Sequence, residues 1–161
     1  MAASKSYIIR PYREEDSAGC IRCFKTNVPL VFTENEISEF QQWLDKLVTA
    51  PPDKELQYFV IAHNETIIGC GGIALEKTKL QVVFTWGLVH KDYQKKGYGK
   101  ALAKFRLGLI EREYPNMDIV LDTSQHTYLF FEKLGFVTQS VTPDFYAKGL
   151  DRYDMRRPAM F

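Results

Sequence analysis

The stretch Val89-His90-Lys91-Asp92-Tyr93-Gln94-Lys95-Lys96-Gly97-Tyr98-Gly99-Lys100 decides how the rest of the chain is read. Upstream, Leu80 to Val89 is a run of apolar and aromatic residues and reads as a buried strand. Downstream, Ala101, Leu102, Phe105, Leu109 and Ile110 recur at helical spacing. A strand that passes through a basic, glycine-containing turn into a helix is built to hold phosphate. The amides of the first helical turn have no intrahelical acceptor, and the helix dipole favours an anion beside them. Glycine lets the backbone come close to the ligand and adopt positive φ where the turn needs it.

Outward from this stretch, the spacing predicts a short strand at Tyr7 to Arg10, limited by Pro11, and a helix from Asp16 to Phe24. Thr33 opens a second helix through Val48, with Thr33 and Glu36 in capping-box spacing. Its apolar stripe, Ile37, Phe40, Trp43, Leu44 and Leu47, is core-facing; the sharper alternative has Phe32 and Trp43 lining a substrate pocket. Pro51-Pro52 ends that unit. Gln57 to Ala62 and the strand starting at Thr66 form a hairpin across Asn64-Glu65. Gly69, Gly71 and Gly72 interrupt the return strand and signal a bulge or close backbone packing. The turn Lys77-Thr78-Lys79 leads into Leu80 to Val89. After the long helix, ending about Tyr114, come a strand Asp118 to Thr123, a helix capped by Ser124 and reaching Leu134, and a strand Phe136 to Val141. A polar and aromatic loop, Thr142 to Leu150, precedes a last strand, Asp151 to Arg157. A meander joined to a β-α-β crossover is α/β with a mixed sheet. The loop has neither G-x-G-x-x-G nor the Walker spacing, so the common nucleotide folds are excluded.

With 161 residues the chain is expected to be one domain, residues 1–161, burying roughly 70% of the surface its unfolded form exposes. A net charge of +1 argues against bulk capture of nucleic acid or anionic membrane, so the lysines at 91, 95, 96 and 100 are a local feature suited to a small polyanion. No window approaches the ~20 apolar residues of a membrane span, and Met1 to Ser6 has no hydrophobic core of a signal peptide. Three cysteines cannot all pair in one chain, which points to a reducing, cytoplasmic location. Cys20 and Cys23 stand in C-x-x-C spacing, but with Cys70 the only other thiol and no metal spacing among His63, His90 and His126, no metal is expected.

Gln94-Lys95-Lys96-Gly97-Tyr98-Gly99 resembles the Q/R-x-x-G-x-G/A motif of the GNAT family, the GCN5-related N-acetyltransferases. Phe131-Glu132-Lys133-Leu134-Gly135-Phe136 is similar to that family's Y-E-K-L-G-F segment, and Ile9 to Asp16 to its first strand and exit. The resemblance spans the chain in the right order. It implies a mixed, mostly antiparallel sheet of six to seven strands flanked by about four helices. It also implies acetyl-CoA as acyl donor and a small-molecule or peptide amine as acceptor, in a monomer or homodimer. Carried over, it has the amides of Lys95, Lys96, Gly97, Tyr98, Gly99 and Lys100 wrapping the pyrophosphate, with Gln94 supporting the turn. Leu88, Val89 and His90 would meet the pantetheine arm opposite Asp122 to Ser124, with Gly87 marking the bulge. An amide at Leu88 or Val89 would face the thioester oxygen, and Ser124 and Phe131 would border the cofactor.

The chain departs from the family where acid and base are usually found. Phe131 and Ser124 stand at the positions of the tyrosine acid and an asparagine seven residues before it, and Val83 and Thr85 at those of a strand base. Tyr128, three residues before Phe131 on the same helix face, is the nearest acid; His126 and Tyr146 are the other candidates. Glu34, Glu36, Trp43, Asp144, Phe145 and Tyr146 mark the acceptor side and favour a cationic amine. The competing expectation is a GNAT-fold protein that senses acyl-CoA without turnover.

Overall fold

The computed structural model describes residues 6–49 and 55–159. The elements are β1 (Tyr7–Pro11), a 3-10 turn (Glu14–Asp16), α1 (Ser17–Lys25), α2 (Asn35–Thr49), β2 (Leu56–His63), β3 (Thr66–Glu76), β4 (Gln81–Val89), α3 (Tyr98–Glu113), β5 (Asp118–Thr123), α4 (Tyr128–Glu132), β6 (Val137–Ala147) and β7 (Leu150–Arg157). Seven strands form one sheet in the order β1-β2-β3-β4-β5-β7-β6. β4 and β5 pair in parallel because α3 carries the chain back across the sheet; the other neighbouring strands are antiparallel. The expected element order and mixed sheet are observed. The expected stop at Pro51-Pro52 lies outside the described residues.

Two boundaries differ. The helix after β5 does not start at Ser124. The amides of Thr127 and Tyr128 both donate to the Ser124 carbonyl, making a turn, and α4 begins only at Tyr128. The segment expected as a loop, Thr142 to Leu150, is mostly strand: β6 runs on to Ala147 and turns into β7. β6 is the edge strand and is exposed along almost its whole length, so beyond Val141 it carries no apolar alternation from which a strand is read.

Two apolar clusters sandwich the sheet. One unites Phe59, Ile61, Ile68, Phe84 and Ile119 with Leu102 and Ile110 of α3. The other unites Tyr58, Val60, Cys70 and Leu88 with Cys20, Phe24, Phe40 and Leu44 of α1 and α2. Helix α2 starts as its sequence predicts: Glu36 Oε1 accepts the Thr33 amide at 3.0 Å, the reciprocal half of a capping box. Cys20, Cys23 and Cys70 are free and fully buried in the second cluster, and among the described residues no group of His, Cys, Asp or Glu is arranged to hold a metal. Among the same residues no helix is long and apolar enough to cross a membrane.

The β3 glycines reflect close packing. A Cβ on Gly72 would lie 2.2 Å from the Gln57 carbonyl oxygen of β2, a distance no side chain tolerates. The β2–β3 hairpin turns through Asn64 and Glu65 at φ 48° and 68°, the left-handed pair of a type I′ turn. Glutamate is a poor occupant of that position. Glu65→Gly is expected to stabilise the protein by about 1 kcal/mol, raising Tm by about 2–4 °C in a thermal melt.

Candidate active site

The site begins where β4 leaves β5. Their parallel ladder holds only from Gln81–Asp118 to Val83–Val120; beyond it β5 continues against β7 and β4 against β3. A wedge therefore opens between the ends of β4 and β5. Within it β4 carries a bulge. Cys70 pairs with Leu88 and Gly72 with Thr85, so Trp86 and Gly87 together oppose Gly71. Trp86 takes φ 37°, the left-handed region, which is uncommon for so bulky a residue. The extra residue switches faces. Phe84 packs in the α3 cluster, whereas Trp86, which would share its face in a regular strand, packs against Phe24 and Phe40 on the α1–α2 side.

The register decides which β4 amides enter the wedge. The His90 amide donates to Ile68 O on β3 at 2.8 Å. The Val89 carbonyl, across the same peptide, therefore points away from β3, where the side chains of Asn27 and Gln94 donate to it at 3.0 and 2.9 Å. In extended backbone the N–H and C=O of one residue point to the same side and alternate from residue to residue. The amides of Val89 and Gly87 thus face the wedge, and that of Leu88 faces β3. This corrects two expectations. Leu88 supplies a buried core side chain rather than an outward donor. His90 turns its amide to β3 rather than outward, while its carbonyl accepts from Tyr93 and its Nδ1 from the Asp92 amide.

The glycine loop is shaped as its sequence suggests. Lys95 and Gly97 take φ 61° and 91°, and Gly97 caps α3. The first intrahelical bond runs from the Ala101 amide to Gly97 O at 3.0 Å, so the amides of Gly99 and Lys100 have no intrahelical acceptor. Lys95, Lys96 and Lys100 extend into solvent around this cradle, with Lys96 Nζ 5.7 Å from the Tyr93 ring centre. Tyr98 turns its ring inward, edge-on to Tyr7 at 5.3 Å, and contributes backbone alone to the cradle. These backbone donors suit a phosphate group.

Asn27, buried just past the C-terminal end of α1, is marked by no motif in the sequence. Its Oδ1 accepts Gln94 Nε2 at 2.7 Å, while its Nδ2 donates to Cys23 O and Val89 O. The Lys91 amide likewise donates to Thr26 Oγ1. Gln94 thus ties the loop both to Val89 O, five residues before it, and to Asn27, 67 residues before it. No sequence motif marks Phe130 either. A Cβ on Gly99 would be 3.8 Å from its ring and 3.7 Å from Val89, so Phe130 walls the mouth of the wedge. Phe131 packs edge-on to Phe84 and Phe136. Tyr128 stacks on Tyr153 of β7 at 4.4 Å. Ser124 is buried, and its hydroxyl accepts the His126 amide; His126 itself is exposed.

On the other side of the sheet edge, the Tyr146 hydroxyl donates to Asp122, the penultimate residue of β5. Burial and then that bond hold the Tyr146 phenol well above its usual range. Glu36 is raised as well, first by burial, with the nearby charge of Asp122 contributing. Arg152 bonds Asp154 and lies over the Phe145 ring. Two expected pocket residues are absorbed by the fold: Trp43 packs edge-on against Tyr58, and the Asp144 carboxylate accepts the Gly149 amide in the hairpin turn. A separate groove of about 740 Å³ beside β1, lined by Arg10, Arg13 and Arg22, contains none of the wedge residues.

The sequence profile of the acetyltransferase (GNAT) domain matches residues 29–158. The chain belongs to the GNAT family. Solved GNAT structures share its fold at low identity. A GNAT-family protein from Desulfovibrio desulfuricans is 19% identical, with 96% of this chain and 99% of that one covered at TM-score 0.79. The ribosomal-protein-S18-alanine N-acetyltransferase of Escherichia coli is 15% identical over 96% and 95%, at TM-score 0.74. An aminoglycoside 6′-N-acetyltransferase solved with coenzyme A is 14% identical over 96% and 98%, at TM-score 0.73. No curated protein sequence matches the chain. In this GNAT chain Asn27→Ala would remove one of the two donors to Val89 O and one of the two acceptors of Gln94 Nε2, and loosen the cradle. Its Kd for CoA is expected to rise about tenfold, by isothermal titration calorimetry, which corresponds to about 1.4 kcal/mol.

Proposed function

We propose that the chain is an acetyl-CoA-dependent N-acetyltransferase acting by direct attack of an amine in a ternary complex. The observation that carries this reading is the wedge between β4 and β5, which leads from the glycine-capped end of α3 to the outward amides of Val89 and Gly87. The first-turn amides with Lys95, Lys96 and Lys100 bind the pyrophosphate of acetyl-CoA. Val89 and Phe130 hold the pantetheine arm, with Phe131 behind them.

The thioester carbonyl then lies beside the β4 bulge. The neutral amine attacks the carbonyl carbon, and the C=O electron pair moves onto oxygen, where the Gly87 amide donates to it. The nitrogen loses a proton, to the Asp122 carboxylate or to water. The electron pair returns, the C–S bond breaks, and the CoA thiolate takes a proton from Tyr128 or from solvent. The products are the N-acetylated acceptor and CoA, and the protons balance. Tyr146 holds Asp122 in place and, with its phenol kept protonated, stays a donor throughout the physiological range. Glu36, Asp122 and Tyr146 on the open side favour a cationic or polar amine, small or at the end of a peptide. Amines of this breadth appear among structural neighbours, which include a spermidine N-acetyltransferase.

A second reading, acyl-CoA sensing without turnover, draws on Phe131, which offers no hydroxyl where the family's usual acid stands. A thiol-release assay with amines, peptides and polyamines separates the two: turnover with any acceptor supports the enzyme, and CoA binding without turnover supports the sensor. Gly97→Trp forces a side chain into φ 91° within the cradle and is expected to abolish CoA binding in either case. Tyr128→Phe is expected to lower kcat about 100-fold with little change in KM, the scale of a lost general acid. An unchanged rate removes Tyr128 from the mechanism and leaves the proton to solvent.

A further inference from the structure

Arg106 has no evident reason to be where it is. It lies on α3, two turns beyond the cradle, with 3% of its surface exposed. Its Nη1 donates to Gly72 O at 3.2 Å, its Cζ sits 4.0 Å above the Phe84 ring, and its Nε has no hydrogen-bond partner. Among the described residues no carboxylate pairs with it. Burial lowers its pKa to about 10, which still leaves it cationic at neutral pH. A buried charge without a counter-ion is destabilising, and an apolar side chain of similar length would serve the core better.

The backbone is built around this group. A Cβ on Gly71 would be 3.2 Å from Arg106 Cζ, and one on Gly87 would be 2.9 Å from Nη2. Glycine on two adjacent strands therefore leaves the room that the guanidinium fills. From the opposite face the buried Tyr58 hydroxyl donates to the Trp86 carbonyl at 2.7 Å. The left-handed Trp86 and the following Gly87 are thus gripped between a phenol and a guanidinium, one on each side of the sheet.

We infer that Arg106 is a positioning residue for acetyl transfer: its guanidinium props the β4 bulge so that the Gly87 amide faces the wedge, and sets an uncompensated positive charge behind that amide. The charge acts through the peptide, without touching substrate, and favours the state in which the thioester oxygen is negative. The inference rests on the acetyltransfer reading above.

The test uses the full chain with [1-13C]acetyl-CoA and needs no acceptor. Isotope-edited infrared spectroscopy reads the thioester carbonyl, free and bound, in the wild type, Arg106→Met, Arg106→Lys and Gly87→Ala. The wild type is expected to shift the stretch to lower frequency. Arg106→Met should lose most of that shift while its Kd for acetyl-CoA stays within about threefold of wild type and its Tm is equal or higher. Arg106→Lys should keep part of the shift, since charge is retained. Gly87→Ala pushes the guanidinium aside with the arginine still present, and should lose the shift as Arg106→Met does; it decides the matter if Arg106→Met does not fold. A full shift in Arg106→Met, or in Gly87→Ala where that variant decides, overturns the inference alone. A wild type that binds no acetyl-CoA overturns the acetyltransfer reading along with it.

Discussion

Everything at the wedge depends on one failure of pairing. After Val83 and Val120, β4 and β5 no longer share hydrogen bonds, and each follows its other neighbour. Backbone amides inside a sheet are normally satisfied by the adjacent strand. Here the end of β4 keeps two of them, on Gly87 and Val89, facing outward. The split is thus a half-finished sheet, with outward amides and room beside them for one more extended strand.

That opening is kept in shape by groups on both faces. Tyr58 and Arg106 grip the bulge, and Asn27 joins the end of α1 to the end of β4 and to Gln94. Buried polar side chains of this kind are costly unless bonded, and each of these bonds to backbone carbonyls at the site. Among the described residues, Asn27, Arg106 and Ser124 place buried polar groups around the wedge, while buried Asp16 and Gln81 bond at β1 and at the start of β4. The acceptor side is looser: Tyr146 and Asp122 meet at the hairpin of β6 and β7, on an exposed edge.

The order of strands and helices could be read from periodicity and turn residues because most elements bury one continuous face. The reading failed at the second half of β6 and at the start of α4. Beyond Val141, β6 is an exposed edge whose side chains carry no pattern, and Ser124 closes a turn with its carbonyl and its hydroxyl instead of capping α4 directly. The cradle from Gln94 to Lys100 was legible for a related reason: positive φ and a helix start demand particular residues close together in the chain. Its supports were not legible, since Asn27 lies 67 residues from Gln94 and an asparagine after a helix is ordinary in any sequence.

By itself, the sequence determined the glycine turn before α3, the crossover it belongs to and the family these imply, because local backbone chemistry is written in neighbouring residues. Tertiary structure alone decided which β4 amides face the wedge. Leu88 or Gly87 becomes the donor according to the register with β3 and the extra residue at Trp86, and a shift of one residue reverses every peptide in a strand. The pairing of a buried arginine with glycines on two strands is equally a fact of packing, because it joins positions 71, 87 and 106, which no local pattern connects.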